Sequence, residues 1–189
     1  FDANDPYHLS ATAKSFMAGL LFHAAEITAI TNQTVNSYKR LVPGFEAPVH
    51  MTWARNNRSG LIRVPVPKKG SASATRIEYR SPDPATNPYL AFSVILAAGL
   101  KGVREGYELA PEADANLFQM DDLALQKMGV QQLPQSLNDA LRIMEGSALV
   151  HEALGEHIFD WFLRNKHREW RQYKTQVTPF ELNAYLKSI

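Results

Sequence analysis

Phe16, Leu20, Ala24 and Ile27 recur at three- and four-residue steps, the apolar stripe of a helix that Ser10 caps and that runs to about Ile30. From Asn36 to Gly44 the pattern turns polar and closes on Pro43-Gly44, a turn region. Leu61 to Val66 is β-branched and strand-like. Lys68 to Thr75, "KKGSASAT", is a loop by its Gly and Ser content. Arg76 to Arg80 then alternates charged and apolar side chains with the period of a strand. The two strands predict an antiparallel hairpin with a long tip. Asn87 caps, and Pro88 opens, a helix reaching about Val103 that is apolar nearly all round and therefore predicted to be buried. Glu108 to Pro134 is loop-rich. Ser136 with Asp139 opens a further helix. Ser147 opens a longer one with Leu154, Ile158, Trp161 and Phe162 facing inward, and Thr178-Pro179-Phe180-Glu181 starts a short last one. The pattern implies an α+β fold, with antiparallel strands in the first half packed by helices and a mainly helical second half.

Composition narrows the class of function. At 189 residues, 45% hydrophobic and 21% charged, the chain has the make-up of a globular protein with one sizeable domain or two small ones. Its 20 basic and 19 acidic residues leave a net charge of +1, which argues against a nucleic-acid binder held by charge. Cysteine is absent, so disulfides and thiolate metal sites are excluded. The longest apolar run, Tyr89 to Leu100, is too short to span a bilayer, and no secretory signal opens the chain, so a cytoplasmic location is expected. The start at Phe1 reads as a loop, as in a processed protein or a piece of a longer one.

The candidate chemistry lies in "RIEYRSPDPATNPYLAF", Arg76 to Phe92. On a strand Arg76, Glu78 and Arg80 share one face while Ile77 and Tyr79 point to a core. Pro82, Pro84 and Pro88 cannot donate ladder hydrogen bonds, so the strand ends near Ser81. Arg55, Arg58 and Arg63 lie just upstream. Such a pattern has an ordinary meaning, a solvated sheet face with an exposed ion-pair ladder. It has a sharper one as well. Close arginines repel by on the order of 4 kcal/mol per pair at an effective dielectric near 20, unless an anion lies between them. Guanidinium forks suit phosphates and carboxylates. A lone glutamate among them could hold Mg²⁺, which takes oxygen ligands and bridges phosphates.

Three blocks decide between these meanings. "NSYKRLVPGFEAP" (Asn36 to Pro48), "RNNRSGLIRVP" (Arg55 to Pro65) and "RIEYRSPDPATNPYLAF" resemble, in order and nearly in spacing, successive blocks of the bacterial type I glutamine synthetase family. The likeness extends through "GLKGVREGYELAP" to the helical end. It implies that residues 1–189 are the C-terminal portion of that catalytic domain, contributing part of its sheet. It further implies that the N-terminal β-grasp domain and the first part of the catalytic domain, with the other metal carboxylates, lie outside this sequence.

Residue by residue, the resemblance gives Arg40 to substrate glutamate. Glu46 becomes the flap glutamate that takes a proton from ammonium. Arg58 serves ATP phosphate and the transferring phosphoryl group, and Arg63 and Arg76 serve the nucleotide. Glu78 becomes a ligand of Mg²⁺ or Mn²⁺, and Arg80 steadies glutamate and the γ-glutamyl phosphate. The implied reaction is ATP-dependent ligation of ammonia to glutamate by a homo-oligomer, a dodecamer in the full-length family. A ligase for another amine, such as a polyamine, would keep the same residues, and a noncatalytic assembly or anion-binding module is the reading from another class. With one metal carboxylate present, the isolated chain is expected to be inactive. Lys68 or Lys69 matches a family lysine near ATP. Phe118 stands where many relatives carry a tyrosine that receives AMP, so that control is expected to be absent.

Other residues resolve more plainly. His151-Glu152 fails as a zinc motif because position 155 is Gly. His151 and His157 read as surface or packing residues, His23 as a core histidine, and Trp161 and Trp170 as packing. The acceptor patterns at Asn32 and Asn57 carry no weight in a cytoplasmic chain.

Overall fold

The computed structural model describes residues 1–42, 47–55, 60–66, 74–113 and 129–186. Helix α1 spans Ala11–Phe22, and the Ser10 hydroxyl accepts from the Ala13 N–H at 3.2 Å. The single helix expected to Ile30 is broken at His23 (φ −96°, ψ 8°), and α2 restarts over Ala24–Thr31. The break turns Phe22 outward and His23 inward. A short helix α3, Ser37–Arg40, replaces part of the expected turn.

Among the described residues three strands follow: β1 His50–Ala54, β2 Gly60–Arg63 and β3 Glu78–Tyr79. The expected antiparallel pair is β2 with β3, setting Ile62 opposite Tyr79 and Arg63 opposite Glu78. β1 runs parallel to β2, so the sheet is mixed, in the order β1-β2-β3. Along the other edge of β1, Met51 N–H donates to Gln131 O and Leu133 N–H to Val49 O, both at 2.8 Å. These bonds cover a strand edge that would otherwise be open.

Helix α4, Pro88–Glu105, begins as the sequence suggests: Asn87 accepts from Tyr89 N–H and Pro88 sits in the first turn. It ends at Gly106, whose left-handed φ of 66° suits glycine. The expected all-round burial is not found. Ala91, Val94, Ala98, Gly99 and Gly102 face the interior, while Tyr89, Phe92, Leu96 and Leu100 are exposed. The small residues let α4 press against α1, and no described element covers the large ones.

α5 spans Leu137–Glu145 with Ser136 capping Asp139 N–H. α6 spans Ala148–Tyr173 and is kinked at Gly155 (φ 71°). That kink corrects the expected inward face. Leu154 and Phe162 are buried, but Ile158 and Trp161 are exposed and Phe159 is buried instead. One residue outside helical geometry shifts the phase of everything after it. α7, Pro179–Tyr185, carries the full capping box of Thr178 and Glu181 and buries no side chain. The larger core cluster among the described residues joins α1, α2, α4, α5, α6 and the inner face of the sheet through Met17, Leu20, Ile30, Val94, Leu141, Phe162 and Ile62.

A polar link ties α2 to α6. His23 Nδ1 lies 2.7 Å from Glu26 Oε1, and Ser147 Oγ, the cap of α6, donates to Glu26 Oε2. The hydrogen bond to His23, seconded by Ser147, holds the Glu26 carboxyl below its ordinary 4.5. A depressed carboxyl pKa stabilises the fold above the unfolded value and loses that contribution as pH falls through the folded value. Denaturant unfolding measured between pH 7 and 3 should therefore show stability falling below about pH 4.5. In Glu26→Gln the slope over that window should be shallower, and an unchanged slope would rule out the link.

Candidate functional site

The strand expected over Arg76 to Arg80 pairs in the sheet only at Glu78–Tyr79, but the alternation from Arg76 to Tyr79 still separates two faces. Ile77 and Tyr79 pack partly buried on the core. Burial pushes the Tyr79 hydroxyl up to about 12, so it stays protonated at neutral pH.

On the opposite face, Glu78 is gripped from two sides. Arg63 Nη2 lies 2.6 Å from its Oε2, across the β2–β3 register, and Arg76 Nη2 lies 3.2 Å from its Oε1. Each carboxylate oxygen therefore faces its own guanidinium. The Glu78 side chain is 28% exposed, so an incoming ligand can reach the group.

Arg80 follows at the strand exit. Its N–H donates to Leu61 O at 3.0 Å and its Nη1 to Gly60 O at 3.3 Å. Arg40, from the last turn of α3, reaches the same place, with Nη1 on Ser81 O at 3.0 Å and Nη2 on Arg80 O at 3.3 Å. The loop beyond is fastened to α2 and its C-terminal end. Asp83 N–H donates to Thr31 O at 2.9 Å, Thr86 Oγ1 to Ile30 O at 2.7 Å, and Gln33 Nε2 to Ala85 O at 2.9 Å.

Of the residues singled out in the sequence, Arg63, Arg76 and Glu78 are thus in direct contact, with Arg80 and Arg40 joined at the strand exit. Arg55 stands apart from them. Its guanidinium lies over the Tyr7 ring at 4.5 Å and donates to Pro6 O, while its N–H donates to Glu112. It fastens the N-terminal loop and the 110–113 segment beside β1. Glu46, Arg58, Lys68, Lys69 and Phe118 lie outside the described residues. Sequence reading missed the bonds from Arg40 to the strand exit, since nothing local announces a contact forty-one positions away.

The donor set can be tested against a metal. Glu78 offers carboxylate oxygen, which suits a hard cation such as Mg²⁺. Among the described residues no group of three or more His, Asp or Glu side chains is placed to hold an ion. Glu78 therefore fits as a single ligand, and the described residues do not complete a shell around it. Chemically, the face offers one carboxylate and several guanidinium forks, which suit anions such as phosphate or carboxylate.

Residues 1–185 match the family described as "Glutamine synthetase, catalytic domain". The chain is similar to glutamine synthetase of Mycobacterium tuberculosis, 56% identical over 184 residues, covering 97% of this chain and 41% of that protein. Glutamine synthetase of Methanococcus maripaludis is 47% identical over 187 residues, covering 99% of this chain and 41% of that protein. Among solved structures, a GmaS/ADP complex superposes with a TM-score of 0.83 at 35% identity, covering 99% of this chain and 42% of the other. The chain therefore spans about two fifths of the length of these relatives.

Proposed function

The chain belongs to the glutamine synthetase catalytic-domain family, and from that membership we propose that it is the C-terminal portion of such a domain in an ATP-dependent ligase. The reaction joins ammonia to the side-chain carboxylate of glutamate. The observation that supports this best is Glu78 held between Arg63 and Arg76, with Arg80 and Arg40 at the adjoining strand exit.

In this reading glutamate's side-chain oxygen attacks the γ-phosphorus of ATP, and ADP leaves. Arg63 and Arg76 offset charge on the nucleotide phosphates, and Arg58 acts on the transferring phosphoryl group. Arg80, with Arg40 and Arg58, orients glutamate and steadies the γ-glutamyl phosphate. Ammonia's nitrogen then attacks the activated carbonyl carbon, phosphate departs, and Glu46 takes the proton once water is excluded. Glu78 would be one ligand of a divalent metal, Mg²⁺ or Mn²⁺, which when bound would supply Lewis-acid neutralisation of the phosphates.

No described helix is long and apolar enough to cross a membrane, and a cytoplasmic enzyme is the reading that accompanies the family. The exposed apolar side chains of α7, Phe180, Leu182 and Tyr185, suit a subunit contact in a homo-oligomer.

Ammonium-dependent glutamine formation tests the assignment. The isolated 189-residue chain should form none, because Glu78 is the one metal carboxylate that the resemblance assigns to it, and one ligand cannot hold the metals. The longer polypeptide carrying this segment should form glutamine from ATP, glutamate and ammonium. Preference for putrescine or spermine over ammonium would make it a γ-glutamyl-amine ligase, and ATP-dependent activity in the isolated chain would overturn the division of the site. Absence of any ligase activity from the longer polypeptide would leave an assembly or anion-binding role.

A further inference from the structure

Arg40 sits on the only turn of α3, forty residues before the strand it touches. Two of its guanidinium nitrogens donate to consecutive backbone carbonyls, Arg80 O at 3.3 Å and Ser81 O at 3.0 Å. This is the point at which β3 has just ended and the prolines begin. A backbone carbonyl buried without a donor costs about 1–3 kcal/mol. Ser81 is fully buried. Arg40 donates to both carbonyls from one guanidinium.

α3 is itself anchored. Val35 N–H donates to Glu169 Oε1 on α6 at 3.3 Å, Lys166 Nζ holds the other Glu169 oxygen at 2.8 Å, and Ser37 pairs with Thr34 at 3.0 Å. The platform that presents Arg40 is thus tied to the longest helix of the fold. One planar fork spans two neighbouring carbonyls, which a lysine ammonium, a single point on a flexible stem, does not reproduce.

We propose that Arg40 is a positioning residue: by clamping the Arg80–Ser81 backbone it fixes the exit of β3 and with it the placement of Glu78 and Arg80, in addition to any contact it makes with substrate. The inference rests on the ligase reading for the identity of what Glu78 binds, but the clamp itself acts before glutamate arrives.

That ordering supplies the test. In the full-length enzyme, Mn²⁺ binding is followed by electron paramagnetic resonance with ADP present and glutamate absent. Arg40→Lys and Arg40→Gln are each compared with wild type, with thermal unfolding recorded for all three. The clamp predicts that both variants bind Mn²⁺ about tenfold more weakly although no glutamate is there to contact, with the melting transition still cooperative. Wild-type Mn²⁺ affinity in both variants, with only the KM for glutamate raised, would reduce Arg40 to a substrate contact and overturn the proposal. A wild-type enzyme that binds neither Mn²⁺ nor ADP would overturn the ligase reading, and this proposal with it.

Discussion

Gly102→Ala should lower the melting temperature by roughly 6–12 °C, or abolish the folded state, although alanine is the better helix former. Helix propensity alone predicts a gain of about 1 kcal/mol for removing an interior glycine. Packing predicts the reverse. A Cβ on Gly102 would lie 2.3 Å from Ser15 O and 2.7 Å from Gly19 Cα. A Cβ on Gly19 would lie 2.3 Å from Ala98 O. The obstacles are backbone atoms of α1 and α4, which cannot rotate away as a side chain can. Overpacking typically costs about 1–3 kcal/mol, and at a backbone contact the upper end applies. For a chain of this size each kcal/mol moves the transition by about 2–4 °C. Gly146→Ala is the matched control, since its Cβ would meet only Ile143 O at 3.7 Å. Circular dichroism melts of the two variants decide the matter. Equal transitions would mean that α1 and α4 do not cross at these glycines.

The second large effect is expected at Glu78. Glu78→Gln keeps the volume and removes the charge that separates Arg63 from Arg76. In the full-length enzyme it should lower kcat by at least about 10²–10³-fold, the scale seen when one electrostatic stabiliser is removed from a reacting centre. The fold should be little affected, because partly exposed ion pairs contribute only about 0–1 kcal/mol. Separate measurement of kcat and thermal unfolding distinguishes a site residue from a structural one. Near-normal turnover in Glu78→Gln would remove Glu78 from the chemistry.

Local signals carried most of the fold. Ser10, Asn87 with Pro88, Ser136, Ser147 and Thr178 each begin a helix where their chemistry says one should begin. The alternation around Glu78 was legible because a strand has only two faces. The breaks were not legible, because His23 and Gly155 interrupt helices whose apolar spacing continues through them. Periodicity also cannot tell which side of α4 has a partner, so Tyr89, Phe92 and Leu96 were expected inside and lie outside. The site divides in the same way. Arg76 and Glu78 meet because alternate residues share a face, which a sequence displays, whereas Arg63 joins them through the β2–β3 register, which it does not. Arg40 meets Arg80 and Ser81 only through the packing of α3, which a sequence conceals. The roles of Glu46 and Arg58 rest on resemblance alone, and both lie outside the described residues.

Anomalous X-ray scattering from crystals of the full-length enzyme grown with Mn²⁺ and ADP puts the grip on a metal-bridged phosphate to its most direct trial. A manganese peak about 2–2.5 Å from a Glu78 carboxylate oxygen is predicted, with Arg63 and Arg76 turned from that carboxylate toward the nucleotide phosphates. Manganese bound elsewhere, with Glu78 still closed between its two arginines, would contradict it.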